Sequence, residues 1–156
     1  MSSEARLTET LAKLGLQLPA APTPKGLYKS IVIAGNLAYT SGHLPVDADG
    51  LMVIGRLGAE LDVEAGYRAA QLAGLNILAS LRKELGSLDR VGRVVKILGV
   101  VNCTPDFTQQ PAVVNGCSQL FADVFGPEAG VGARSAVGTN TLPLGVPVEI
   151  EAVFEI

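Results

Sequence analysis

Residues 132–153 read GARSAVGTNTLPLGVPVEIEAV, and this stretch predicts two neighbouring β-strands. The strands are expected near Arg134 to Thr139 and Val146 to Phe154, separated by a turn region that contains proline and glycine. In the second strand Glu149 and Glu151 alternate with apolar residues, so both carboxylates are expected on one face of the sheet. The stretch therefore predicts an amphipathic strand that covers a core with its other face.

Upstream of these strands the sequence alternates between strand and helix patterns. A Gly-Asn pair between two β-rich runs predicts a tight hairpin, and leucines and alanines at helical spacing predict two long helices. A β-branched run between the helices is typical of a strand buried on both faces. The predicted elements are strands Ser30 to Ala34 and Leu37 to Ser41, helix Asp62 to Leu85, strand Val91 to Val101 and helix Gln110 to Phe125.

The first 25 residues differ from the rest of the chain. Ser3 to Leu14 predicts a short amphipathic helix that ends at Gly15, and the proline-rich segment Leu18 to Lys25 predicts an extended connector. We expect one α+β domain over residues 1–156, with this helix and connector in 1–25 and the core in 26–156. In that core a mixed sheet carries both long helices on one face.

Composition limits the possible functions. The 156 residues are 48 % hydrophobic and 17 % charged, so part of the apolar surface is expected to face another subunit. The net charge of −3, without a basic cluster, argues against nucleic acid as a partner. No signal peptide or membrane-spanning run is recognisable, and a cytoplasmic location is expected. Cys103 and Cys117 lack metal-type spacing and are expected to remain thiols.

Arg134 and Glu149 are the candidates for chemistry in the predicted strands. The planar guanidinium of Arg134 suits a bound carboxylate, but an internal ion pair with Glu149 or Glu151 would explain the residue equally well. Acidic side chains at two successive positions of one strand face are commonly solvated, which alone would explain Glu149. His43 is the only histidine, which argues against a metal centre and against a Ser-His-Asp triad.

Three segments together resemble a known family. These are Gly132–Val153, in which an arginine precedes a glutamate by fifteen positions, YTSGHLPV at Tyr39–Val46, and VVNGCSQLF at Val113–Phe121. They are similar to the YjgF/Rid family of reactive-intermediate deaminases, also labelled L-PSP endoribonucleases, and in particular to its longer YjgF/chorismate-mutase-like branch. The chain departs from the family pattern at His43, where a glutamine is usual, and at Ala136, where many members have cysteine.

The resemblance implies a chorismate-mutase-like fold, a homotrimer and a site in the cleft between adjacent subunits. It implies hydrolysis of enamines or imines to 2-oxo acids and ammonia without a cofactor or metal, with Arg134 on the substrate carboxylate and Glu149 beside the water. A non-catalytic carboxylate-binding module and the older endoribonuclease label are the alternatives.

Four further residues are expected to shape the pocket. Tyr28 matches a family tyrosine that closes it, although an ordinary boundary aromatic would explain the residue. Ser41 and Gly42 end a strand where the backbone can approach a ligand and offer an amide donor. Asn115 could bind the ligand or cap the start of its helix. The predicted substrate-binding residues are therefore Tyr28, Ser41, Gly42 and Asn115.

Overall fold

The computed structural model describes residues 1–156 and contains three α-helices and five β-strands. Short 3-10 turns at Leu88–Arg90 and Pro143–Gly145 lie before two of the strands. No helix combines the length and the apolar character that a membrane crossing requires. In chain order the elements are α1 (Ser3–Leu14), β1 (Ile31–Ala34), β2 (Leu37–Thr40), α2 (Val63–Leu85), β3 (Arg93–Asn102), α3 (Gln110–Phe125), β4 (Ala133–Thr139) and β5 (Val148–Glu155).

The predicted helix ends are confirmed. Asp62 caps α2 by accepting a hydrogen bond from the Ala65 amide at 2.8 Å. Gly15 and Gly86 end α1 and α2 in the left-handed conformation, with φ of 64° and 82°. The hairpin turn is also confirmed, but only its first residue, Gly35, has positive φ.

Two predicted strand starts are wrong by two residues. The amide of Val91 donates to the carbonyl of Leu88 and closes a 3-10 turn, so β3 begins at Arg93. The last strand begins at Val148 rather than at Val146, because Pro147 has no N–H to contribute to a strand ladder. Both differences come from local hydrogen bonding rather than from hydrophobic pattern.

The five strands form one mixed sheet in the order β1-β2-β5-β3-β4. Only β3 and β4 run parallel, and the other neighbouring pairs are antiparallel. Helices α2 and α3 pack against each other and against the sheet, as predicted, and α1 packs against α3. Glu4 ties α1 to the rest of the chain, because its carboxylate accepts from the Leu88 amide and pairs with Arg82.

The core lies between the sheet and the two long helices. Phe121 of α3 packs edge-on against Phe154 of β5, with ring centroids 5.4 Å apart. The prediction that the third strand is buried on both faces is wrong for the isolated chain. Ile97 and Val101 are buried under the helices, whereas the alternate residues of β3 are only half-buried on a face that no helix covers. That uncovered surface is called the open face below.

Candidate functional site

The structure divides the predicted site residues between the two faces of the sheet. Arg134 stands opposite Ile97 in the β3–β4 register, and the Ile97 side chain is buried beneath the helices. Glu149 stands opposite Val100, one of the half-buried residues on the open face. Because side chains on a strand alternate between faces, Arg134 points to the helix side and Glu149 to the other.

Arg134 is held by neutral acceptors. Its Nη1 donates to Asn115 Oδ1 at 2.7 Å and to Ser118 Oγ at 3.2 Å. The chain has three salt bridges, and none includes Arg134, so the internal ion pair with Glu149 or Glu151 does not form. Burial raises the pKa of the adjacent Cys117 thiol, which therefore supplies no counter-charge either. The guanidinium is a partly buried cation that lacks an anionic partner.

Asn115 is not a helix cap. Helix α3 begins at Gln110, and Asn115 lies within its second turn. From this position its side chain reaches across to β4, where Arg134 donates to it. Ser118 was missed by the sequence reasoning, although it follows Asn115 by three positions and residues at that spacing share a helix face. The helical spacing alone was therefore the signal that pointed to Ser118.

Glu149 lies against the end of β2. A Cβ atom added to Gly42 would lie 2.8 Å from both Cδ and Oε2 of Glu149, so only glycine fits there without displacing the carboxylate. The Gly42 amide donates to no group of the chain and remains available to a ligand. Burial, followed by the neighbouring Glu151 carboxylate, raises the pKa of Glu149.

Ser41 directly follows β2, and Tyr28 lies in the segment that leads to β1. The Ser41 amide donates to the Ser30 carbonyl at 2.9 Å, and its hydroxyl donates to the Lys29 carbonyl. Tyr28 is half-exposed, and its hydroxyl oxygen lies 3.5 Å from the Lys25 amide nitrogen. The Ser41 hydroxyl is therefore engaged in holding the strand end, while the Tyr28 ring faces solvent.

His43 supports this strand end from the core side. Its backbone pairs with Ile150, and its Nδ1 donates to the Ser41 carbonyl at 2.6 Å. Because a carbonyl only accepts, the neutral ring must accept at Nε2, where the Ser80 hydroxyl lies at 2.8 Å. Burial lowers the pKa of His43, which favours this neutral form. His43 and Ser80 are both buried, so this Ser-His pair has no access to a substrate.

One chain cannot bring Arg134 and Glu149 to the same small molecule. They are two strands apart and three residue positions apart along the sheet, which places their Cα atoms about 14 Å from each other. In addition, the sheet itself separates their side chains. Arg134 and Glu149 therefore mark two half-sites, which lie on different surfaces of the chain.

A further depression lies elsewhere on the chain. It measures about 640 Å³, opens widely to solvent and contains none of the predicted site residues. It is formed by the start of α2 and the loop before α3, including Arg68, Phe107 and Gln109. No three His, Cys, Asp or Glu side chains converge closely enough to hold a metal ion. Arg134 and Glu149 form no salt bridge within the chain, whereas Arg68 of this depression is paired with Glu64.

Comparison with known proteins gives the same family as the sequence motifs. Residues 7–152 match the family model described as "YjgF/chorismate_mutase-like, putative endoribonuclease". The chain is 43 % identical to Protein TCP17 of Trypanosoma cruzi over 154 residues, which cover 99 % of this chain and 96 % of that protein. It is 30 % identical to a 2-iminobutanoate/2-iminopropanoate deaminase of Dermatophagoides farinae over 142 residues, 90 % of this chain and 94 % of the relative.

A solved structure supports the same assignment. The protein Atu1372 of Agrobacterium tumefaciens superimposes with a TM-score of 0.87 and 42 % identity, over 99 % of this chain and 92 % of that one. The mixed sheet with two long helices on one face is thus the chorismate-mutase-like α+β fold. The chain belongs to the YjgF/chorismate-mutase-like family.

Proposed function

We propose that this protein hydrolyses 2-imino acids, and the enamines in equilibrium with them, to 2-oxo acids and ammonia. The family and the named deaminase among its relatives support this reaction class. The observation that carries the proposal is Arg134, a partly buried cation that neutral side chains hold in place while no anion neutralises it. Such a group is suited to the carboxylate that every 2-imino acid carries.

Glu149 supplies the complementary chemistry. Its carboxylate takes a proton from a water as the water oxygen bonds to the imine carbon, and it returns that proton to the nitrogen to give a carbinolamine. The carboxylate then takes the hydroxyl proton and passes it to the nitrogen, so that the C–N bond breaks, ammonia leaves and the 2-oxo acid forms. A raised pKa suits Glu149 to this exchange, because a more basic carboxylate accepts a proton from water more readily. Gly42 leaves room for the carboxylate and offers an amide donor.

The reaction requires a second chain. The imine carbon is bonded to the carboxylate carbon, so the groups that bind the carboxylate and guide the water must lie within a few ångström of the same molecule. Within one chain Arg134 and Glu149 lie on opposite faces of the sheet. We therefore place the active site between subunits of a homotrimer, with Arg134 from one subunit and Glu149 from its neighbour. Tyr28, Ser41 and Asn115 complete its walls.

The open face gives this assembly an apolar surface. Val32, Tyr39 and Val137 are each exposed by 45 to 49 % in the isolated chain. Val32 pairs with Tyr39, and the half-buried Leu98 and Val100 of β3 lie on the same face. Burial of this surface against a second copy would contribute the free energy of association.

Complementation between two inactive variants tests the proposal. Arg134→Ala and Glu149→Gln should each lower kcat/KM for 2-iminobutanoate strongly, the second by about 10²- to 10⁴-fold in kcat. After co-refolding in equal amounts, about a quarter of the sites should contain both intact groups, which would restore about a quarter of wild-type activity. Imine generated in situ and competed with semicarbazide provides the assay.

The results of these experiments distinguish a shared active site from the alternatives. Mixed trimers without activity would contradict the shared site, while sedimentation as a stable monomer would remove its basis. Wild-type protein that binds 2-oxobutanoate but hydrolyses no imine would show a binding module instead of a deaminase.

A further inference from the structure

The hydrogen bonds of Arg134 determine which edge of its guanidinium can meet a ligand. Arginine has five N–H donors, two on each Nη atom and one on Nε. Nη1 donates to Asn115 Oδ1 and Ser118 Oγ, and neither Nε nor Nη2 has a partner in the chain. A carboxylate is held by two parallel N–H groups, either from both Nη atoms or from Nε and Nη2. With Nη1 engaged, the Nε–Nη2 edge is the complete fork that remains.

The two acceptors on α3 are not equivalent. Arginine only donates, so Asn115 must turn its Oδ1 towards Nη1, and its own NH2 group then points away and can donate to a ligand. Ser118 is part-buried, one helical turn further along, and its oxygen meets the same Nη1. Loss of the Ser118 oxygen would leave a single acceptor, about which the guanidinium plane could rotate.

We propose that Ser118 is a positioning residue, which together with Asn115 fixes Nη1 so that Arg134 binds the substrate carboxylate side-on through Nε and Nη2. This inference rests on the proposed function and specifies how its carboxylate subsite is built. Ser118 acts through Arg134, so its effect should fall on substrate affinity and leave the chemical step unchanged.

A matched pair of substitutions tests the role of the hydroxyl. Ser118→Thr retains the hydroxyl oxygen. Ser118→Val has almost the same shape as the threonine variant but has a methyl group in place of the hydroxyl. We expect Ser118→Thr to bind 2-oxobutanoate nearly as wild type and Ser118→Val to bind it roughly 3- to 10-fold more weakly in calorimetry. Ser118→Ala, which adds no branched side chain, should match Ser118→Val. Gln119→Ala, on the exposed side of the same helix, should leave affinity unchanged.

Two readouts distinguish positioning from general structure. The oxygen-free variants should raise KM for 2-iminobutanoate while kcat stays at the wild-type value, and Ser118→Thr should restore KM. In NMR spectra the Nη1 protons of Arg134 should rotate slowly in wild type and in Ser118→Thr but rapidly in Ser118→Ala.

The failures can be told apart. Equal affinity and KM in Ser118→Thr and in the oxygen-free variants would overturn the role of Ser118 and leave the proposed function standing. Wild-type protein that binds no 2-oxo acid would overturn the proposed function and this inference together.

Discussion

Arg134 and Glu149 belong to the same sheet, but the groups that surround their side chains differ. On the helix side, two neutral oxygens accept hydrogen bonds from the guanidinium and fix its orientation. On the open face, burial and the Glu151 carboxylate both disfavour the charge of Glu149 and raise its pKa. Under the proposed function, the first surface retains an anion and the second exchanges a proton. The comparison implies that binding and proton transfer can be perturbed separately.

The largest effect is expected on the helix side. Arg134→Lys keeps the positive charge but loses the planar fork and the contacts with Asn115 and Ser118, so affinity for 2-oxobutanoate should fall roughly 100-fold. Calorimetry measures this loss. Arg68→Lys is the matched control, because Arg68 borders the separate depression at the start of α2. If Arg68→Lys were the weaker binder, the carboxylate would bind in that depression and the comparison would lose its basis.

A smaller effect is expected on the open face. In Gly42→Ala the new Cβ would approach Glu149 Cδ to 2.8 Å and displace the carboxylate, so kcat should fall roughly 10-fold. The kcat effect should exceed any change in KM. Gly92→Ala serves as the control, since its Cβ would meet no atom nearer than 3.3 Å. An unchanged kcat in Gly42→Ala would show that the position of Glu149 is not critical.

The smallest effect concerns pH. Glu149 must be ionised to accept a proton, so kcat/KM should fall as pH drops through its raised pKa. After burial, the negative charge of Glu151 is the second cause that raises that pKa, so Glu151→Gln should lower the pKa and move the acid limb to lower pH. Profiles of kcat/KM against pH should be measured for the wild type and for Glu151→Gln. The imine titrates identically in both assays, so a difference between the two profiles comes from the enzyme. An acid limb that stays at the same pH, or moves to higher pH, would contradict the assignment of Glu149 as the proton acceptor.

Much of the fold could be predicted from the sequence because its signals are local. Both long helices, the capping residues of α2 and the hairpin turn follow from hydrophobic period, Asp62 and the glycines. The open face of β3 could not be predicted, because a run of β-branched residues looks the same whether the second face meets helices or another subunit.

The candidate site was less predictable, because its residues meet through tertiary structure. The sequence motifs identified Arg134, Glu149 and Asn115, but an ion pair and a ligand site remained equally compatible with Arg134. Only the strand register shows that Arg134 and Glu149 point to opposite faces. His43 appeared as a departure from the family pattern, and its bond to the buried Ser80 thirty-seven positions away has no signature in sequence.

The sheet order also affects how the protein can form during synthesis. Strand β5 follows all the other strands in the chain, yet it lies in the sheet between β2 and β3. A chain still emerging from the ribosome therefore holds two separate strand pairs, β1–β2 and β3–β4, until β5 is released and joins them. Meanwhile the apolar side chains that face Ile150 and Phe154 have no cover, which exposes the nascent protein to aggregation or to chaperone binding.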